Sequence, residues 1–588
     1  MQIFWSLRWF FQKEWLAYSV GTGILMLVSA LALLPPYAAG RVVDQIAEGT
    51  LTMGDLQYWA VLLLGAGILM YIFRYIWRIM IFGAAIRLAK LLRSRLYEHY
   101  TKMSASFYNR RRTGDLMAHS TNDIKAVEQT AGIGVLTLVD SIAMGGFVIA
   151  AMAFTISWQL TLLCLLPMPL MAAATSIYGN ILHHRFGQAQ AAFSELNNKV
   201  QESVSGIRVT KAFGQEKAEV AAFSRQSDKV VEKNENVARV DALFEPTISL
   251  VVGISYFLAV FFGARFVISG DLTIGELTSF TVYLGMLTWP MLAFGLLFNI
   301  VERGRASYGR IESLLAEKQD ITDERAEYSS IPSGSINVVI ESCHYPEAEQ
   351  ASLQDISFFV QKGETIGIAG RTGSGKTTLL KLLLREMEDP LSRVEVDGVS
   401  AASCQLDSYR MAFGYVPQDH FLFSISIADN IAFARPDASL KEIVHAAKTA
   451  HVHEDIINME YGYDTIVGER GVTLSGGQKQ RLAIARALIT DPEILILDDS
   501  LSAVDAKTEE SILSHLQRER HNKTTWIVSH RMSAIKHADQ IVVLENGRQI
   551  ERGTHDELMK DHHWYADMYD MQQLESLVEK GGKDGAPG

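Results

Sequence analysis

The sequence of 588 residues predicts an all-α transmembrane domain of six helices followed by an α/β nucleotide-binding domain of the P-loop class. Three observations carry this. Six apolar stretches, at about 16–39, 57–82, 134–156, 159–178, 247–269 and 277–300, each approach the ~20 residues that a bilayer crossing needs. Apolar density then collapses over 301–335 into a charged and finally Ser/Pro/Gly-rich linker ending Ile331-Pro332-Ser333-Gly334-Ser335. Beyond it, the apolar run Thr365–Ala369 leads into Gly370-Arg371-Thr372-Gly373-Ser374-Gly375-Lys376-Thr377-Thr378, which opens a helical pattern at Leu379. The expected divisions are an interfacial helix over 1–15, the membrane domain over 16–305, a linker over 306–335, the nucleotide-binding domain over 336–575 and a flexible tail over 576–588.

The formal net charge of −12 argues against a nucleic-acid-binding surface as the main business of the chain. Cys164, Cys343 and Cys404 are scattered without a disulfide or metal-ligand spacing, so they read as small buried residues in a reducing compartment.

Residues 1–15 mix Phe4, Trp5, Trp9, Phe10, Phe11 and Trp15 with Arg8 and Lys13, as expected of a helix at headgroup level. The first apolar run is longer than a signal-peptide core and ends without a small-residue cleavage site, so the N-terminus is expected to be retained. Six spans place both ends of the membrane half on one side. Loops 40–56 and 270–276 are acid-weighted, whereas Arg8, Lys13 and the basic segment 87–125 flank the other side, which puts both termini in the cytoplasm.

The connections expected inside the cell, 83–133 and 179–246, are long, charged and helix-forming. Out-and-back arms of ~25 residues reach about 35–40 Å at 1.5 Å per residue. Each has a turn-like middle, Arg112-Thr113-Gly114-Asp115-Leu116-Met117 and Gly206-Ile207-Arg208-Val209-Thr210-Lys211-Ala212-Phe213-Gly214, expected to form short transverse helices. Within the spans, Arg74 or Arg78 can pair with Asp140, and Pro290 is expected to kink the sixth.

The second half alternates short β-rich runs (336–341, 365–369, 413–416, 494–497, 525–528 and 540–544) with helical patterns, as in a largely parallel sheet. In the Gly370–Thr378 loop, glycines let successive N–H groups face a phosphate, Lys376 reaches β/γ oxygens, and the Thr377 hydroxyl can ligate Mg²⁺ at a helix N-terminus. Ile494-Leu495-Ile496-Leu497-Asp498-Asp499 is a buried strand ending in two carboxylates, placed to hold Mg²⁺ (Asp498) and polarise a water (Asp499). Leu474-Ser475-Gly476-Gly477-Gln478, before a helical run, offers a serine, glycine N–H groups and a helix N-terminus to an anion.

That last segment resembles the signature of ATP-binding cassette proteins, and nearly the whole chain resembles a bacterial multidrug-type ABC exporter half-transporter. The resemblance implies that adenine stacks on Tyr345, that Gln418 senses Mg²⁺ and faces the membrane half, and that Gly468-Glu469-Arg470-Gly471 touches the coupling helices. It further implies a D-loop at Ser502-Ala503-Val504-Asp505 and a switch histidine, His530, on the γ-phosphate. Two positions depart from the pattern. Cys343 stands where an aromatic is frequent, and Asp499 stands where the family usually places a glutamate that acts on the attacking water.

The resemblance implies two chains sandwiching ATP between one P-loop and the other's signature, with Mg²⁺, in the cytoplasmic membrane. Small amphipathic or hydrophobic molecules would be exported by alternating access. The alternatives are a lipid or lipopeptide flippase, or an ATP-gated regulator. An intact signature at Ser475–Gln478 beside the shortened Asp499 favours a heterodimer with a second half-transporter over a homodimer. The expected contacts are thus that partner, membrane lipid and a small-molecule substrate, without nucleic acid.

Overall fold

The computed structural model describes residues 2–584 apart from 325, 330–331, 333, 346–347, 349, 469–470 and 472–473. It divides into two units, residues 1–101 with 113–317 and residues 102–112 with 318–588.

The first unit is helical. Trp15–Leu31 and Leu34–Ala47 meet at Ala32-Leu33, with prolines in the first turn of the second helix, where a missing N–H costs nothing. Met53–Lys102 is one helix of 50 residues, about 75 Å long at 1.5 Å per residue. Among the described residues five helical runs are long and apolar enough to cross a membrane: Trp15–Ala47, Met53–Lys102, Thr113–Leu165, Glu216–Ile268 and Ile274–Leu315. The third holds a hidden reversal. Ser157 is extended (φ −158°, ψ 120°) and its hydroxyl accepts from Leu160 N–H, so Trp158–Leu165 begins a separate helix. The predicted fourth span, 159–178, therefore starts at that cap and is interrupted at Leu166-Pro167 before Met168–Ser205 resumes. Six apolar stretches thus survive, but the fourth is not one continuous helix, because Pro167 withdraws a backbone donor.

The second cytoplasmic hairpin matches its expected form. Met168–Ser205 and Glu216–Asp241 are held together by Arg185 Nη1 to Asn236 O (2.8 Å), Lys199 to Glu219 (3.0 Å) and Ser203 Oγ to Glu219 (2.8 Å). The short helix Ile207–Ala212 closes the tip and leaves Phe213 exposed. The first hairpin departs from expectation. Its short helix is Ala105–Arg110, in the second unit, where Ser104 Oγ donates to Asp320 Oδ2 at 2.7 Å. Of the expected turn 112–117, residues 113–117 already belong to the returning helix that starts with Thr113–Ala118, and Asp115 lies in its first turn, where the helix dipole favours an acid.

The sixth stretch is interrupted at Leu287, between Ile274–Met286 and Thr288–Leu315, as expected of Pro290, which has no N–H to donate to Met286 O four residues back. One further expectation is corrected. The linker expected from 306 remains helix to Leu315, because buried Val301, Ile311 and Leu314 give its charged sequence an apolar stripe. An ion pair also holds this segment: Arg310 Nε donates to Asp123 Oδ2 at 3.0 Å, and His119 Nδ1 lies 2.7 Å from the same oxygen. In the spans, Asp140 faces the Ser29 hydroxyl and the Arg74 guanidinium, while Arg78 lies over the Phe82 ring.

The second unit is built on a ten-stranded sheet in the order β5-β4-β1-β2-β10-β9-β3-β8-β7-β6. The strands are β1 Ile336–Cys343, β2 Leu353–Val360, β3 Thr365–Ala369, β4 Ser392–Val396, β5 Val399–Ser400, β6 Phe413–Val416, β7 Ile494–Asp498, β8 Thr524–Val528, β9 Gln540–Glu545 and β10 Arg548–Gly553. β9, β3, β8, β7 and β6 are parallel, whereas β1 pairs antiparallel with β2 and β4. The sheet is therefore mixed. The sequence reading named neither β2 nor the short β4, β5 and β10. The parallel strands are buried on both faces: Ile494 and Ile496 join the core around Leu380 and Trp526, while Leu495 and Leu497 join the core around Ile484 and Ile527. The tail expected from 576 continues as helix Trp564–Asp584, and residues 585–588 lie outside the described residues.

Candidate nucleotide site

Three adjacent strands, β3, β8 and β7, bring their C-terminal ends to one edge, where α/β sheets bind ligands. The loop after β3 requires its glycines. Gly370 has φ +149°, and a Cβ there would lie 2.3 Å from Leu544 O; Gly375, φ +101°, caps the helix Lys376–Leu383, and a Cβ there would lie 2.5 Å from Leu353 Cδ2. Arg371, Thr372, Gly373 and Thr377 are exposed along the loop, and the buried Ser374 hydroxyl has no hydrogen-bond partner. Lys376 Nζ arches over it, donating to Gly370 O (2.8 Å) and Arg371 O (2.9 Å). Burial lowers the Lys376 pKa, against the opposing pull of Asp499 and Asp498. Tyr345 is tied to the same helix: its hydroxyl lies 3.2 Å from Thr378 Oγ1, and Lys381 Nζ sits 5.5 Å from its ring centroid.

At the end of β7, Asp498 is buried and accepts from the Tyr415 hydroxyl at 3.3 Å. Burial raises its pKa to about 6; Asp499 adds to the rise, and Tyr415 and Lys376 oppose it. A buried carboxyl at a strand end, short of compensating positive charge, suits a divalent cation. Asp499 takes a left-handed backbone (φ 46°), donates its N–H to Val528 O (2.8 Å) and places Oδ1 2.7 Å from His530 Nδ1. Gln418 is exposed two residues beyond β6, the strand paired with β7 in register Val416↔Leu497. The structure thus gathers Lys376, Thr377, Asp498, Asp499 and His530 at one sheet edge.

Ser475 lies at the N-cap of helix Gly476–Leu488, where its hydroxyl accepts from Gln478 N–H and the Gln478 amide oxygen accepts from Ser475 N–H. This capping box aims the N–H groups of Gly476 and Gly477 outward, while Leu474 is buried. Asp505 caps Ala506–Glu519 by accepting from Thr508 N–H at 3.0 Å. Glu469 and Arg470 lie outside the described residues.

Several connections were not anticipated. Gln480 joins the signature helix to the D-loop, accepting from Ala503 N–H (3.0 Å) and donating to Ser502 Oγ (3.2 Å). Arg531, beside His530, donates to Ser502 O (2.6 Å) and to Glu509 (3.0 Å). His420 is half-buried, and burial lowers its pKa against the pull of Asp419, Asp499 and the Pro417 backbone. Its sole sequence signal was its place two residues after Gln418.

The family model described as the ABC transporter transmembrane region matches residues 19–291, and the one described as ABC transporter matches residues 353–502. The chain belongs to the ABC transporter family. It is 46% identical over 577 residues, 98% of each chain, to the probable multidrug resistance ABC transporter ATP-binding/permease protein YheI of Bacillus subtilis (strain 168). It is 45% identical over 581 residues, again 98% of each, to the multidrug resistance-like ATP-binding protein MdlA of Escherichia coli (strain K12). Among solved structures it is similar to a bacterial Atm1-family ABC exporter with ATP bound, with a TM-score of 0.79, 27% identity, and coverage of 94% of this chain and 99% of that one. This ABC transporter is accordingly a membrane-embedded exporter subunit that binds ATP and couples its hydrolysis to transport.

Proposed function

We propose that this half-transporter pumps small amphipathic or hydrophobic molecules out of the cell in a heterodimer, in which its own P-loop holds ATP mainly structurally while its signature completes the partner's hydrolytic site. The observation that carries this is the Asp499–His530 contact of 2.7 Å. The carboxylate at the position of the water-activating residue is one methylene shorter than glutamate, sits on a left-handed backbone and is already engaged with the switch histidine. Near-attack geometry tolerates only small misplacement, so such a site binds ATP well and cleaves it slowly. The signature helix, by contrast, keeps its full capping box.

ATP would lie along Gly370–Thr378 with adenine on Tyr345. Thr377, Gln418 and Asp498 would hold Mg²⁺, which neutralises the charge of the β- and γ-phosphates. The test of pumping is ATP-dependent accumulation of an apolar fluorescent dye in inside-out vesicles carrying the transporter. Accumulation against a gradient, lost with Lys376→Ala, is expected; a passive, ATP-gated leak would overturn the pump in favour of a gated channel.

A further inference from the structure

The membrane unit contains a crevice of about 240 Å³ between helix Val135–Ala151 and the break at Leu287 that precedes Thr288–Leu315. Its walls are apolar apart from one group: Ile142, Gly145 and Gly146 line one side, Leu287, Pro290 and Met291 the other, and Ser141 contributes a hydroxyl. The paired glycines help to create this space by withdrawing side chains from one wall: a Cβ on Gly146 would meet nothing within 4 Å, and one on Gly145 would lie 3.7 Å from Pro290 Cβ.

Ser141 is 3% exposed, and its Oγ has no hydrogen-bond partner. Other buried hydroxyls nearby turn back to their own backbone, as Ser29 does to Leu25 O (3.1 Å) and Thr130 to Ala126 O (2.9 Å), whereas Ser255, on helix Phe244–Ile268 and outside the crevice, is also unpartnered. The adjacent Asp140 faces Ser29 and Arg74, and among the residues lining the crevice Ser141 alone carries a polar side chain. An orphaned polar group in an apolar environment is costly, and polar groups within membrane spans mark substrate paths. A cavity of ~150 Å³ accepts one benzene, so this crevice suits roughly one or two fused rings.

We propose that this crevice seats a compact ring group of the transported molecule carrying one hydrogen-bond acceptor, which the Ser141 hydroxyl engages. This rests on the chain acting as an exporter. An acyl tail would fill the same apolar space but would give Ser141 nothing to bind.

The test is equilibrium binding, by ligand-observed NMR, of two near-isosteric probes, quinoline with a ring-nitrogen acceptor and naphthalene without one, to the solubilised transporter. Binding without nucleotide is read independently of pumping. The wild type should bind quinoline about tenfold more tightly than naphthalene, and Ser141→Ala should bring that ratio near one. Gly146→Ala, whose Cβ would meet nothing within 4 Å, folds normally and should weaken both probes; Gly146→Leu should weaken them further. Equal affinities in the wild type, or Gly146 variants that bind like the wild type, would overturn the proposal while leaving export untouched. Quinoline binding that follows this pattern in a chain that accumulates no dye would remove export and keep the seat.

Discussion

Asp499 Oδ1 lies 2.7 Å from His530 Nδ1, so the carboxylate that directly follows strand β7 and the histidine two residues beyond the neighbouring strand β8 form one unit. The contact depends on the left-handed backbone at Asp499 (φ 46°), which turns the side chain across the sheet edge toward β8. Removing the imidazole with His530→Ala is expected to weaken retention of ATP at this chain's P-loop several-fold while changing total turnover little. Nucleotide-exchange kinetics on the purified assembly check this, and a collapse of turnover would contradict it.

The Lys376 ammonium bridges the mouth of the phosphate loop. Lys376→Ala should weaken ATP binding at this chain's own site by tenfold or more, because it removes the cation facing the β/γ-phosphates. Photocrosslinking of labelled ATP to this chain is the readout, and unchanged labelling would refute the assignment.

Asp498 carries a pH dependence whose sign follows from its raised pKa of about 6. The folded carboxyl holds its proton more tightly than the unfolded one, so its contribution to stability is full below the unfolded value and is lost as pH rises through about 6. Without nucleotide or metal, Asp498→Asn should stabilise the protein on the order of 1–2 kcal/mol at pH 8 and hardly at all at pH 4. Thermal unfolding at the two pH values checks this. The same variant should lose metal-dependent ATP binding.

Phe213 is exposed at one hairpin tip, and Tyr108 is exposed on the short helix of the other. Phe213→Ala and Tyr108→Ala should each reduce stimulation of ATPase activity by substrate at least twofold while leaving ATP affinity unchanged. Lowered ATP affinity with stimulation intact would show that the tips do not couple the two halves.

The parts of this protein that were legible in its sequence are those where one residue type is physically obligatory. Gly370 and Gly375 need left-handed backbone beside Leu544 and Leu353, and the run Ile494–Leu497 must be buried on both faces. The missed features come from contacts between distant residues. Nothing local tells that Arg310 answers Asp123 and so keeps the expected linker helical, or that Gln480 joins the signature helix to Ala503. A local signal also misled where it had two meanings: Gly114-Asp115 reads as a turn but starts a helix.

The asymmetric division of labour is tested most directly by ATP turnover of the purified chain, alone and with candidate partner half-transporters, for Asp499→Asn and Ser475→Ala. A positioned general base contributes typically ~10²- to 10⁴-fold, so the variant that strikes the working site should be unmistakable. The account predicts slow turnover by the chain alone and, in the active pair, less than a twofold loss for Asp499→Asn against a loss of tenfold or more for Ser475→Ala. Brisk, substrate-stimulated hydrolysis by the chain alone, abolished by Asp499→Asn, would contradict it.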